Sequence, residues 1–271
     1  MLQEFNYAGP ATRAELHELL SRHGKEAKLL AGGTDLVVNL RAGTAKPILV
    51  IDVKKVAEFR GISFNEKEGL VIRPSVTINE LLANKVVNER FPLLAECGHD
   101  LASYQIRNRA TVIGNVVNAS PCSDMAPALL CLGAKAVISS KRGEREIPFS
   151  QFFKGVKKTV LAEDELLERI VVPAASSGAR GSYSKLKRIA GHDLGIVGVA
   201  LMKKDGQIKL GISSSAPTPV LVEGLREGDD EAKVVAAARA AISPISDVRC
   251  SKEYREFMVE VFVKRLLKEV K

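Results

Sequence analysis

The 271-residue chain contains no tryptophan, and its aromatic residues amount to 5%. That leaves little for the base-stacking surfaces that single-stranded nucleic-acid binders depend on. No apolar run approaches the roughly 18–20 residues of a membrane span. The opening stretch "MLQEFNYAGPATRAEL" lacks a signal-peptide core, so the expected compartment is cytoplasmic. Only four cysteines occur, Cys97, Cys122, Cys131 and Cys250, with no CxxC pair. This excludes a disulfide framework or an iron–sulfur site held within the chain, and the thiols read as reduced and mostly buried. Neither G-x-x-x-x-G-K-[ST] nor G-x-G-x-x-G is present, which removes the P-loop and the dinucleotide Rossmann turn. No internal repeat is visible.

What the chain does carry is a formal charge of +8 and 46% hydrophobic residues, enough for two or three folded domains. The basic residues are scattered, and "KRGERE" and "KKDGQIK" have the mixed signs and turn residues of solvated hairpin tips. Nucleic acid is therefore not the expected partner; an acidic protein surface or an anionic ligand accounts for the charge.

The pattern predicts an N-terminal strand, then a helix opened by the capping box Thr12–Glu15 with Leu16, Leu19 and Leu20 on its apolar face. Strands are expected at "PILVIDV", "GLVIRP" and "AKAVISS", a helix capped by Thr77 or Asn79, and a helix over 92–108. Residues 173–182, "PAASSGARGS", read as a linker. Beyond them "SYSKLKRI", "GIVGVALMKK" and "QIKLGISSS" predict antiparallel strands with a tight turn at Asp205–Gly206. Helices follow over 230–242 and 251–270, the latter capped by Ser251. Its apolar stripe of Tyr254, Phe257, Met258, Val261, Phe262 and Leu266 is expected to pack on the sheet.

Two glycine-bearing stretches stand out. In "LLAGGTDL", Leu29, Leu30 and Ala31 end a strand, Gly32 and Gly33 follow, and Thr34, Asp35 and Leu36 open a helix. Such a strand–glycine–helix junction can aim successive N–H groups at a phosphate, although a simple tight turn needs the same residues. Asp35 must turn away from an anion, and capping the helix is one way to do so. In the second stretch, Thr111, Val112, Ile113, Gly114 and Asn115 precede "ASPCSD". There Asp124 either accepts hydrogen bonds from sugar hydroxyls or caps the next helix. His192–Asp193 reads best as a polar loop, and no catalytic triad, acid–base pair or metal cluster is evident.

Together, "LLAGGTDL", "QIRNRATVIGN", "ASPCSD" and "KLKRIAGHDLGIVGVA" resemble, in order and spacing, the FAD-binding medium subunit of molybdenum hydroxylases over nearly the whole chain. The resemblance implies an α+β protein. Residues 1–175 would form a two-part FAD-binding domain of the vanillyl-alcohol-oxidase (PCMH) type, divided near residue 55. Residues 176–271 would form a smaller α/β C-terminal domain of antiparallel sheet plus helices. It implies FAD contacts at Leu29, Leu30, Ala31, Gly32, Gly33, Thr34, Asp35 and Leu36, with their amides on the pyrophosphate. Further contacts are implied at Leu101 and Ala102, at Thr111 through Asn115, and at Asp124, Leu167, Lys185 and Leu194. Lys185 would place a positive charge near the cofactor.

One residue departs from the family pattern: Ile113 stands where a glycine is usual, so a turn needing φ > 0 there would be relaxed or its flavin contact altered. The extra cluster of 4-hydroxybenzoyl-CoA reductase needs closely placed cysteines that Cys122 and Cys131 do not supply. The implied function is electron transfer: FAD takes electrons from an iron–sulfur small subunit, fed by a molybdopterin large subunit, and passes them to an external acceptor. A self-contained flavin oxidoreductase and a cofactor-free scaffold are the alternatives.

Overall fold

A computed structural model describes residues 4–271. The chain begins with β1 (Asn6–Ala8), α1 (Arg13–His23), β2 (Ala27–Leu30), α2 (Leu36–Arg41) and β3 (Leu49–Asp52). The three strands form a parallel sheet in the order β1-β3-β2. The Thr12–Glu15 capping box is formed, and Leu16 and Leu20 seat α1 on Leu49 and Ile51 of the sheet.

A five-stranded antiparallel sheet follows, built from β4 (Ile62–Asn65), β5 (Gly69–Ile72), β6 (Lys135–Ser140), β7 (Gly143–Pro148) and a last strand; the hairpin β8 (Phe153–Gly155) and β9 (Lys158–Thr159) precedes that strand, β10 (Leu166–Val172). The order is β4-β5-β10-β6-β7. Between β5 and β6 run six short helices: α3 (Ile78–Ala83), α4 (Lys85–Arg90), α5 (Pro92–His99), α6 (Tyr104–Arg107), α7 (Val112–Val117) and α8 (Met125–Cys131). Thr77, not Asn79, caps α3, closing a capping box with Glu80.

The single helix expected over 92–108 is two helices. Ala102 adopts φ +48°, and Arg107 Nη1 donates to the carbonyls of His99 (3.0 Å) and Leu101 (2.9 Å). That guanidinium satisfies carbonyls at the end of α5 that another helical turn would otherwise have used.

The third unit is an antiparallel meander, β11 (Arg180–Leu186), β12 (Val197–Lys204), β13 (Gln207–Ser213) and β14 (Val220–Arg226), followed by α9 (Glu231–Ala241) and α10 (Lys252–Glu269). Asp205 and Gly206 take φ +50° and +73° in the β12–β13 turn, as an Asp-Gly hairpin requires. The linker expected through residue 182 is shorter, because Arg180, Gly181 and Ser182 already pair with β12.

β12 shows why the run "VGVALM" is continuously apolar. Val197, Val199 and Leu201 face the core under α9 and α10, while Ala200 and Met202 face the core shared with α5 and α8. Alternate side chains leave a strand on opposite faces, so both faces of this sheet are buried. The approach is closest at Gly211, where a Cβ would lie 2.2 Å from the Pro127 carbonyl oxygen.

The α10 stripe is only half as expected. Val259, Phe262, Val263 and Leu266 are buried, but Tyr254 and Phe257 are exposed and stack on each other with centroids 6.3 Å apart. Buried Arg255 takes the inward position in the first turns. Its guanidinium Nη1 donates to the carbonyls of Ile196 (2.6 Å) and Ser214 (2.9 Å), which turns the two aromatics outward.

Candidate functional site

The first glycine stretch folds as strand β2, a loop and helix α2, with Gly33 at φ +79°. Gly32 is bare for another reason: a Cβ there would lie 2.0 Å from the Arg109 carbonyl oxygen. What sits against this backbone is the "QIRNRATVIGN" segment, folded onto the first glycine stretch. Of the residues in the loop and at the start of α2, the backbone N–H groups of 32–36 find no acceptor within the described chain. Val37 is the first to bond, to the Gly33 carbonyl at 3.0 Å. Five successive unpaired donors beside a left-handed glycine form a cradle for an anion. Asp35 does not cap α2; its carboxylate accepts from Asn118 Nδ2 at 2.8 Å, which removes it from the cradle.

The second stretch is not a glycine turn. Thr111 is the N-cap of α7, accepting from the Gly114 amide at 3.0 Å, and Val112 through Asn115 are helical. Ile113 therefore needs no positive φ, and its side chain is buried in the core. The expected conflict at Ile113 does not arise, because a helical backbone suits a branched side chain where a left-handed turn would not. Gly114 is constrained instead by the cap: a Cβ would meet Thr111 Oγ1 at 2.7 Å.

From α7 the contacts continue to Asp124. Asn115 Oδ1 accepts from Ser123 Oγ (2.6 Å) and the Met125 amide (3.3 Å), fixing the turn before α8. Asp124 neither caps α8 nor faces solvent. Its carboxylate pairs with Lys185 Nζ at 2.8 Å and accepts from the Tyr183 hydroxyl at 3.3 Å. Lys185 is buried and also donates to the Asp100 carbonyl at 3.0 Å, beside Leu101 and Ala102. Burial pushes the Asp124 carboxyl above the ordinary carboxylate value, with Lys185 and Tyr183 pulling it back. Burial and the Asp124 charge push the Tyr183 phenol well up.

Gly195 borders the Lys185 stem, a Cβ there lying 3.3 Å from its Cε, so the 187–195 loop adjoins the same cluster. Leu194 on that loop is exposed; Asp193 is held far below the carboxylate range by the Arg188 guanidinium. Thus Leu29–Leu36, Leu101–Ala102, Thr111–Asn115, Asp124 and Lys185 lie along one connected line of contacts, and exposed Leu194 precedes the glycine that borders Lys185. Leu167 lies apart from that line, buried in β10 within the core that also holds Val112, Ile113 and Val116.

Sequence reasoning missed Tyr183, Asp100 and Lys54. Lys54 Nζ donates to the Ala31 carbonyl at 2.8 Å and to Asp52 Oδ1 at 2.5 Å. The motif "DVKK" offered no signal, since exposed lysine pairs at strand ends are common. Two surface hollows of about 500 and 540 Å³, lined by Glu96 and Arg180 and by Lys135 and Glu223, share no residue with this line.

The family described as "FAD binding domain in molybdopterin dehydrogenase" matches residues 3–175. The chain is 35% identical to the carbon monoxide dehydrogenase medium chain of Hydrogenophaga pseudoflava, over 97% of this chain and 96% of that one. It is 30% identical to the xanthine dehydrogenase FAD-binding subunit of Escherichia coli O157:H7, over 97% and 95%. Among solved structures, a chain of the Hydrogenophaga pseudoflava carbon monoxide dehydrogenase superposes with a TM-score of 0.91 at 32% identity, covering 100% of this chain and 98% of that one.

Proposed function

Since the chain belongs to the FAD-binding family of molybdopterin dehydrogenases, we propose that it is the flavin subunit of a multi-subunit molybdenum hydroxylase. In this reading it works beside an iron–sulfur small subunit and a molybdopterin large subunit in the cytoplasm. The observation that carries the reading is the row of unpaired amides at 32–36. A dinucleotide pyrophosphate is an anion of the right kind for it.

The residues present fit FAD. The amides of Gly32 to Leu36 would hold the pyrophosphate, and the α7 N-terminal segment Thr111–Asn115 would wall the same groove. The Asp124–Lys185 pair, Leu101–Ala102 and Leu194 would line the rest of the cofactor's path, with Leu167 beneath α7. Residues 1–175 would bind the cofactor and 176–271 would close over it. When bound, FAD accepts electrons and passes them on, singly or in pairs. The chain's own share is to bind, orient and shield it.

Two observations favour this over the alternatives. A cofactor-free scaffold has no need of five successive amides without a protein acceptor, and the Ile113 departure that would have supported one is an ordinary helical residue. A self-contained oxidoreductase needs acid and base groups facing the cofactor, whereas Asp124 and Lys185 are already bonded to each other.

The test is the visible spectrum of the purified chain alone and with its co-purified partners. Bound, releasable FAD in the chain is expected, with reduction by substrate only when the partners are present. Protein that neither carries nor rebinds FAD would sink the reading; reduction of the isolated chain by substrate would favour the self-contained enzyme.

A further inference from the structure

We infer that Lys54 is a positioning residue for the anion cradle, setting the direction of its first amide from outside the groove. This rests on the reading of the 32–36 loop as the pyrophosphate site. Lys54 follows β3, the central strand of the first sheet, and its ammonium reaches across to the end of β2. There it donates to the carbonyls of Ala31 (2.8 Å) and Leu30 (3.4 Å) and pairs with Asp52 Oδ1 (2.5 Å). Asp52 is itself tied down. It accepts from the Lys54 amide (3.0 Å) and from the Tyr7 hydroxyl (3.0 Å), and Tyr7 lies on β1, the third strand of the sheet. All three strands therefore contribute to where the ammonium sits.

The consequence follows from peptide geometry. The Ala31–Gly32 peptide is planar and trans, so its N–H points opposite to its C=O. With the Ala31 carbonyl drawn onto Lys54, the Gly32 N–H is turned to the opposite side of the chain. The Arg109 carbonyl occupies the space a Gly32 Cβ would take, so the loop backbone lies directly against the segment before α7. Without Lys54, two strand-end carbonyls lose their donor and the peptide is free to flip toward solvent. Against the desolvation of its burial, the Lys54 hydrogen bond holds Asp52 below the ordinary carboxylate value, so the ion pair persists through neutral pH.

The experiment compares Lys54→Met and Lys54→Arg with the unaltered full chain after removal of FAD. FAD affinity is read by titration, and affinity for ADP by competition with FAD. ADP carries the pyrophosphate half of the cofactor without the flavin. The expected result is a loss of about tenfold or more for both ligands in Lys54→Met, with recovery in Lys54→Arg and an unchanged flavin absorption band. If Lys54→Met does not fold, Lys54→Gln, whose shorter stem leaves Asp52 a neutral donor but withdraws the charge and the reach to Ala31, is expected to show the same loss for both ligands. Unchanged affinities accompanied by a lower Tm would overturn the inference, leaving a structural ion pair. Weakened FAD with undiminished ADP would also overturn it, because the effect would lie on the flavin half. If the unaltered chain binds neither ligand, the pyrophosphate reading itself fails and takes this inference with it.

Discussion

Adjacent glycines 32 and 33 meet different demands, and substitution separates them. A Cβ on Gly32 would overlap the Arg109 carbonyl at 2.0 Å, a backbone atom that cannot move without shifting the start of α7. Gly33 has side-chain neighbours only, Leu30 and Val37 at 3.1 and 3.3 Å, and a φ of +79° that costs an L-residue about 1–2 kcal/mol. Gly33→Val is therefore expected to remain folded and lose its bound FAD, whereas Gly32→Val should be recovered poorly or unfold at much lower temperature. Melting curves and the flavin absorbance of the two variants check this. Lys185 shows a second separation. Because it is buried against Asp124, Lys185→Met strands a carboxylate in the interior, a change that typically costs about 3–5 kcal/mol. Asp124→Asn in the same chain should recover a good part of that loss, and urea unfolding of the two single variants and the double variant measures the coupling. If Lys185→Met unfolds at the same urea concentration as the unaltered chain, Lys185 is not the partner of Asp124 in solution.

Among the elements, α10 departs most from its amphipathic pattern. Six apolar residues at helical spacing read as one stripe, yet the helix turns Arg255 inward and leaves Tyr254 and Phe257 outside. The buried guanidinium binds Ile196 and Ser214, and the Ser214 amide in turn donates to the Pro121 carbonyl at 2.7 Å. The start of α10 is thus fixed by polar contacts to the loops around Asp124, and its later turns by apolar packing. Phe262→Ala is expected to cost about 3–5 kcal/mol as a core truncation. Phe257→Ser, at an exposed position, should stay within about 0.5 kcal/mol of the unaltered chain. Chemical denaturation of both variants distinguishes this arrangement from one in which the whole stripe is buried. α7 shows the converse: a segment read as a turn is a helix, because Thr111 caps it and the Val112 amide bonds to the Val76 carbonyl at 3.1 Å.

For the whole molecule, the sequence by itself determined what depends on neighbouring residues. The capping box at Thr12, the hairpin at Asp205–Gly206 and the strand–glycine–helix junction at 29–36 all arise from side chains and backbone within a few positions of one another. Their physics is local, so their pattern is legible in one dimension, and the order of the four motifs was enough to indicate the family. The tertiary structure alone decided which distant groups meet. Gly32 is bare for Arg109, 77 positions on; Lys54 holds Ala31 from another strand; Asp124 pairs with Lys185, 61 positions on; and Arg255 displaces two aromatics from a predicted core. A carboxylate, an ammonium or a glycine has many possible partners, and sequence spacing does not rank them. Burial does, because a polar group taken out of water must find the partner the fold brings within about 3 Å.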